Sequence, residues 1–251
     1  MADFRLKSRP ALCRRYRSRI YSLSRRNCLL EAAKSTLLIL SALFPIVNPL
    51  GGSPIFLTLT RDYSASARRA LARRVAMNSF FLLVCSCLVG THILTFFGIS
   101  LPVVQVGGGL IVISTGWAML NRSDDDDDQR EGNVRKKVSP RDEFKNAFYP
   151  LTLPLTVGPG SISVAITLGA NVPRHHGWNL LGLPAIFIGC IIIAVSIYLC
   201  YGFSDRLARA IGATAMGVIM RLSSFLLVCI GVQILWNGVK ALLVALPALG
   251  Q

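Results

Sequence analysis

The sequence predicts an all-α, polytopic membrane protein with six transmembrane helices, arranged as two inverted three-helix repeats whose first helices are broken. Three observations predict it. Long stretches of chain carry no charge, Lys and Arg concentrate in alternate loops, and a proline motif recurs 105 residues downstream of its first copy.

Run length decides between membrane and soluble protein. A 53% hydrophobic composition would also suit a soluble core, but the uncharged stretches 35–60, 75–121, 146–173, 177–204 and 222–239 approach or exceed a bilayer span. About 20 apolar residues cross the hydrocarbon layer. Soluble helices show a polar stripe, and these runs are apolar all round. The 75–121 stretch is cut by the turn Gly98–Pro102, which gives six spans, near 36–60, 76–97, 102–120, 146–170, 179–202 and 222–246. Residues 1–34 form a basic extension, 35–120 the first repeat, 121–145 a charged cytoplasmic loop and 146–251 the second repeat.

Charge sets the orientation. The loops after spans 1, 3 and 5 hold fifteen Lys or Arg, and the opposite side holds only Arg174 and Lys240. The positive-inside rule places the basic loops in the cytoplasm and both termini outside. Trp117, Trp178 and Trp236 fall near span ends, as interfacial belts require. The tail conflicts with this orientation: residues 1–34 carry ten Lys or Arg against Asp3 and Glu31. It reads as a targeting segment, an over-long start before Leu29 or Leu30, or a cytoplasmic lipid-binding arm. Nucleic acid is excluded as a partner, because the charge is dispersed beside membrane spans with no binding module.

Cysteines and acids add no metal site. Cys85, Cys87, Cys190, Cys200 and Cys229 lie in spans without a CxxC, and Cys85 and Cys87 face nearly opposite sides of a helix. The run Asp124–Asp128 lacks calcium-loop spacing and reads as a solvated linker.

The repeat points to function. Phe44-Pro-Ile-Val-Asn-Pro-Leu-Gly-Gly-Ser-Pro-Ile55 in span 1 matches Tyr149-Pro-Leu-Thr-Leu-Pro-Leu-Thr-Val-Gly-Pro-Gly160 in span 4, with Pro45, Pro49 and Pro54 aligned to Pro150, Pro154 and Pro159. A proline costs roughly 3 kcal/mol in an ordinary helix interior, so both spans should unwind. Three spans per half invert the second half relative to the first, the plan of many secondary transporters. Span 1 should open over Asn48, Pro49, Gly51, Gly52 and Ser53, with Ser53 as N-cap and Pro54 as first helical residue. Span 4 should open around Thr152, Pro154, Thr156 and Gly158, with Pro159 starting the next helix ahead of Gly160 and Ser161. Ser163 could add to the polar lining. Two half-helix starts entering from opposite sides would aim amides at one central region suited to a carboxylate. These are the candidate substrate-binding residues.

Absences narrow the chemistry. No Asp, Glu, Lys or Arg lies in a span core, and His92 is the one titratable side chain of that kind. A carboxylate proton pump and an intramembrane hydrolase are both disfavoured. No cofactor, metal or catalytic group is called for, and the chain reads as a non-enzyme. Gly107-Gly-Gly109, beside Gln105, reads as a close-packing site, and Gln233 is the counterpart of Gln105 in span 6.

Asn48-Pro-Leu-Gly51 with Pro54-Ile-Phe56, and Tyr149–Ser161, resemble the two proline motifs of the MarC family of bacterial inner-membrane proteins. The resemblance covers roughly 35–245. It implies six spans with outside termini, a place among LysE-type exporters, and neutral amino-acid transport by some members, with the two breaks forming the transport site. The basic extension and aspartate-rich loop depart from the family pattern. The expectation is a multi-pass inner-membrane transporter of small neutral or zwitterionic solutes, or an organellar one if the extension is a targeting peptide. A coupling ion and a homo-oligomer are left open. The rivals are a passive channel, against which Leu153 stands where Asn48 would recur, and a non-transporting membrane partner.

Overall fold

A computed structural model describes residues 33–61, 63–121, 147–171 and 182–245. The readings of residues 1–32, the Asp124–Asp128 run, Arg174 and Trp178 lie outside them. The described chain is helical throughout. Helix α1 (33–47) and α2 (Pro49–Leu59) form the first span, interrupted at Asn48, followed by α3 (Ala65–Phe96) and α4 (Leu101–Leu120). The fourth span is a wide-pitched segment, α5 (Ala147–Thr156), bent by 71° against α6 (Pro159–Asn171). Helix α7 (Gly182–Gly202), the short α8 (Ser204–Ile211) and α9 (Ala213–Ala245) complete the bundle.

Local chemistry sets the boundaries. Ser64 caps α3 by accepting from the Ala67 amide at 3.2 Å. Gly98, at φ +67°, turns the chain between α3 and α4, and Gly212, at φ +79°, separates α8 from α9. Five helices are long and apolar enough to cross a membrane, and the α5–α6 pair, bent by 71°, makes six where it is taken as one broken span. Two of them exceed the predicted spans: α3 begins at Ala65 instead of 76, and α9 at Ala213 instead of 222. A run without charge marks lipid contact, whereas a helix can continue past the hydrocarbon into water. The helix α8, with Asp205, Arg206 and Arg209 beside Leu207 and Ile211, is also absent from the sequence reading, which placed a loop there.

Small residues set the packing. Without a hydrophobic force between helices in lipid, close backbone approach supplies the attraction. Helices α4 and α9 run antiparallel along a seam of glycines at seven-residue spacing, with Gly109 against Gly231 and Leu235, Gly116 against Ser224 and Val228, and Gly238 against Pro102 and Val106. A Cβ on Gly109 would lie 2.6 Å from the Leu235 amide nitrogen, and one on Gly116 3.0 Å from the Ser224 carbonyl. The glycines of 107–109 therefore serve packing as expected, with Gly108 against Ser163 of α6, although Gly107 faces open space. Helix α6 also presses on α3, where Gly169 abuts the Cys87 carbonyl and Gly90 abuts Ile166. The buried core joins Leu43, Phe56, Leu71 and Leu83 to Leu151, Ile193, Ile197 and Tyr201. Phe81, Phe96, Trp117 and Trp236 face outward, which costs nothing where the surroundings are lipid. Cys85 is exposed and Cys87 buried, on different sides of α3 as their spacing requires.

Candidate functional site

The first break is a single residue. Asn48 adopts the left-handed conformation (φ 46°, ψ 61°), which asparagine tolerates better than most residues. Its Oδ1 accepts from the Gly51 amide at 3.1 Å, making Asn48 the N-cap and Pro49 the first helical residue of α2. This corrects the expected start at Ser53–Pro54. Gly51, Gly52 and Ser53 are helical, Pro54 lies inside α2, and the Ser53 hydroxyl donates instead to the Cys200 carbonyl at 2.9 Å. The Asn48–Pro49 pair suits a break better: asparagine can take the unusual backbone, and proline presets the helical φ of the residue that starts α2. The Gly51 and Gly52 amides are both taken, by Asn48 Oδ1 and by the Asn48 carbonyl at 3.0 Å. They are therefore not open donors, contrary to the sequence expectation.

The second break is wide. Tyr149 and Leu153 have extended backbones inside α5, each before a cis proline, Pro150 and Pro154. The Thr152 and Thr156 hydroxyls reach back to the carbonyls of Ala147 and Leu151 at 2.6 and 2.7 Å, so both buried hydroxyls are satisfied within the segment. Gly158 then offers its carbonyl to the Ile162 amide at 3.1 Å, and Pro159 opens α6, as the sequence predicts. As first-turn residues, Gly160 and Ser161 present amides without intrahelical acceptors.

Both breaks line one cavity of about 490 Å³. Of the candidate residues, Asn48, Gly52, Pro154, Thr156, Gly158, Pro159, Gly160 and Ser161 border it. Pro49, Gly51, Ser53, Pro54 and Thr152 do not, and neither does Ser163, whose hydroxyl donates to the Val104 carbonyl at 2.8 Å. Apolar Ile46, Ile55, Ile111, Val112 and Leu227 form much of the remaining wall. Ser114 and Thr115 of α4 also line it and were missed, because no proline or glycine flags that part of the span. Among the described residues no charged side chain borders the cavity, and His92 is exposed on α3 outside its lining. Asn48 Nδ2 is shielded from solvent and has no hydrogen-bond partner among the described residues.

Tyr201 is the other residue the sequence did not single out. It is fully buried, stacks on Phe56 with ring centroids 4.6 Å apart, and lies 3.1 Å from Thr156 Oγ1. The Thr156 hydrogen goes to the Leu151 carbonyl, so Tyr201 is the donor to Thr156. The tyrosine hydroxyl occupies the space where a side chain at Gly52 would begin. One phenol from α7 thus touches both breaks, at Gly52 and at Thr156. The arrangement can hold a carboxylate or carbonyl by an amide side chain, first-turn amides and hydroxyls. It offers no general acid or base among the described residues that line it.

Comparison with known proteins gives a consistent picture. The family model for MarC family integral membrane proteins matches residues 33–243. The membrane protein YvbG of Bacillus subtilis is 30% identical over 201 residues, covering 80% of this chain and 92% of that protein. The inner membrane protein MarC of Salmonella typhimurium is 32% identical over 205 residues, covering 80% and 91%. Its namesake in Citrobacter koseri is 32% identical over 207 residues, again covering 80% and 91%. No solved structure matches the chain.

Proposed function

Since the chain belongs to the MarC family of integral membrane proteins, we propose that it is a secondary transporter of small neutral or zwitterionic solutes, amino acids first, and not an enzyme. One observation carries the proposal: two helix breaks, from opposite halves of the chain, border a single cavity with no charged side chain among the described residues. Its volume of about 490 Å³ falls in the range of small-molecule sites. A fixed charge in the lining would demand a compensating charge on the solute, and the lining carries none. The substrate carboxylate would sit between Asn48 Nδ2 and the Gly160 and Ser161 amides, where a helix start favours negative charge. Its ammonium group would meet the Leu155 carbonyl, which loses its helical partner because residue 159 is proline. The apolar wall would accommodate the remainder.

The inverted repeat is part of this reading. The 105-residue offset of the prolines and the antiparallel α4–α9 glycine seam both fit a two-fold relation in the membrane plane. Rocking of one half against the other would then alternate access. Relatives named as inner membrane proteins favour the same location here.

The test is uptake of labelled neutral amino acids by purified protein in liposomes, with and without imposed proton or sodium gradients. Accumulation above the external concentration is the expected result. Uptake that only equilibrates would make the protein a channel. No uptake of any solute in the panel, from correctly folded protein, would leave a non-transporting membrane partner.

A further inference from the structure

We propose that Arg69 and Arg206, gathered on Phe203, bind the phosphate of an anionic phospholipid at the basic end of the bundle. The guanidinium carbons of both arginines stand 5.7 Å from the centroid of the one Phe203 ring. They are therefore no farther apart than twice that distance. Arg69 comes from α3 and Arg206 from α8, so the two halves of the chain each contribute one. Both are exposed, and neither has a carboxylate partner among the described residues. The nearby acid, Asp205, is paired with Arg68. Arg73 stands one helical turn after Arg69, also exposed, and adds to the same charge.

A cation–π contact with a ring consumes none of the guanidinium N–H donors. Those donors match phosphate oxygens in a planar fork. Two like charges held on one ring repel each other, and a shared anion removes that repulsion.

Position argues for a lipid as the source of the phosphate. Phe203 directly succeeds the last residue of the span α7, where hydrocarbon gives way to head groups. The helix α8 that begins there is amphipathic, with Arg206 and Arg209 one turn apart and Leu207 and Ile211 one turn apart, the pattern of helices that lie in the interface. Each Arg near an anionic membrane surface strengthens binding by about fivefold.

The consequence is structural. Arg68 and Asp205, the immediate neighbours of Arg69 and Arg206, already tie α3 to α8. A phosphate across Arg69 and Arg206 makes a second tie between the same helices.

The experiment uses the full chain, purified in a neutral detergent. Retention of phosphatidylglycerol and of phosphatidylcholine is measured by native mass spectrometry, and thermal unfolding is monitored with each lipid and with inorganic phosphate. Wild type is expected to retain phosphatidylglycerol preferentially and to be stabilised by it, with no effect of inorganic phosphate. Arg69→Gln and Arg206→Gln should each weaken retention about fivefold, whereas Arg221→Gln, a control on exposed α9, should change it less than about twofold. Equal retention of both lipids would overturn the proposal, as would losses no larger than that of the control. Stabilisation by inorganic phosphate equal to that by lipid would reassign the cluster to a soluble anion and also overturn it. Should Arg69→Gln fail to fold, Arg206→Gln, on the exposed face of α8, decides alone. Transport is not measured, so failure here leaves the proposed function untouched.

Discussion

Replacing Gly52 with alanine should destabilise the protein, although alanine is the better helix former. In an ordinary helix interior the exchange stabilises by about 0.5–1 kcal/mol. Here the new methyl collides with the Tyr201 hydroxyl. That hydroxyl cannot swing aside, because its ring is stacked on Phe56 and fully enclosed. Forcing a group into such a core costs about 1–3 kcal/mol. Displacing the phenol from Thr156 leaves a buried donor unpaired, about 1–3 kcal/mol more. The net expectation is a loss of about 1–5 kcal/mol, once the helix gain is subtracted. Tyr201→Phe removes the colliding atom and gives up one hydrogen bond, about 1 kcal/mol. In the double variant the alanine methyl meets ring carbons at 3.3 and 3.4 Å, a contact that small shifts relieve. The double variant should therefore be more stable than Gly52→Ala alone. The two single losses should exceed the combined loss by about 2 kcal/mol in a double-mutant cycle. Thermal unfolding in detergent is the assay. If Gly52→Ala proves as stable as wild type, or the two losses simply add, Tyr201 does not press on the first break and the reasoning fails.

The same geometry sets four other expectations. Gly160→Leu should abolish uptake and also lower the unfolding temperature, because the first added carbon would stand 2.5 Å from Cγ2 of the buried Val112 in the cavity wall. Asn48→Ala should cost about 1–2 kcal/mol through loss of the cap and the left-handed backbone; Asn48→Gly should recover most of that stability in unfolding measurements but not transport. Arg68→Ala should lower the unfolding temperature more than Asp205→Asn. The buried guanidinium also serves the Thr60 and Tyr63 carbonyls, at 3.1 and 3.4 Å, whereas the Asp205 side chain is 45% exposed and its charge is screened. Gly109→Val should break the α4–α9 seam and cost upwards of about 2 kcal/mol, read by unfolding and protease resistance, because it meets backbone that cannot rotate away.

The sequence made the existence of both breaks legible and misplaced one of them. Two cap-and-proline pairs compete in the first motif, Asn48–Pro49 and Ser53–Pro54. Asparagine wins because it can occupy the left-handed region and cap its own helix, while the Ser53 hydroxyl is drawn to α7. That contact spans 147 residues of sequence and leaves no local trace. Tyr201 was illegible for a similar reason: an aromatic residue within an apolar span looks like lipid-facing bulk until its hydroxyl is found beside Thr156. The second break was read correctly because Gly158–Pro159 has no competitor nearby. The apolar spans were located correctly, five as long helices and the fourth as the bent α5–α6 pair, since absence of charge reports the solvent around a helix. Helix ends were not, since charge says nothing about where the hydrogen-bond ladder stops.

The lengths of α3 and α9 have a consequence outside the bilayer. At 1.5 Å per residue, 32 and 33 residues extend about 50 Å, against about 30 Å of hydrocarbon. Tilt alone would have to exceed the usual limit of about 40° to absorb the difference. Both helices therefore project as rigid posts, and Arg68, Arg69, Arg73 and Arg74 are fixed on the first of them. Trypsin, which needs an extended substrate, should pass over these four sites in intact vesicles despite their density.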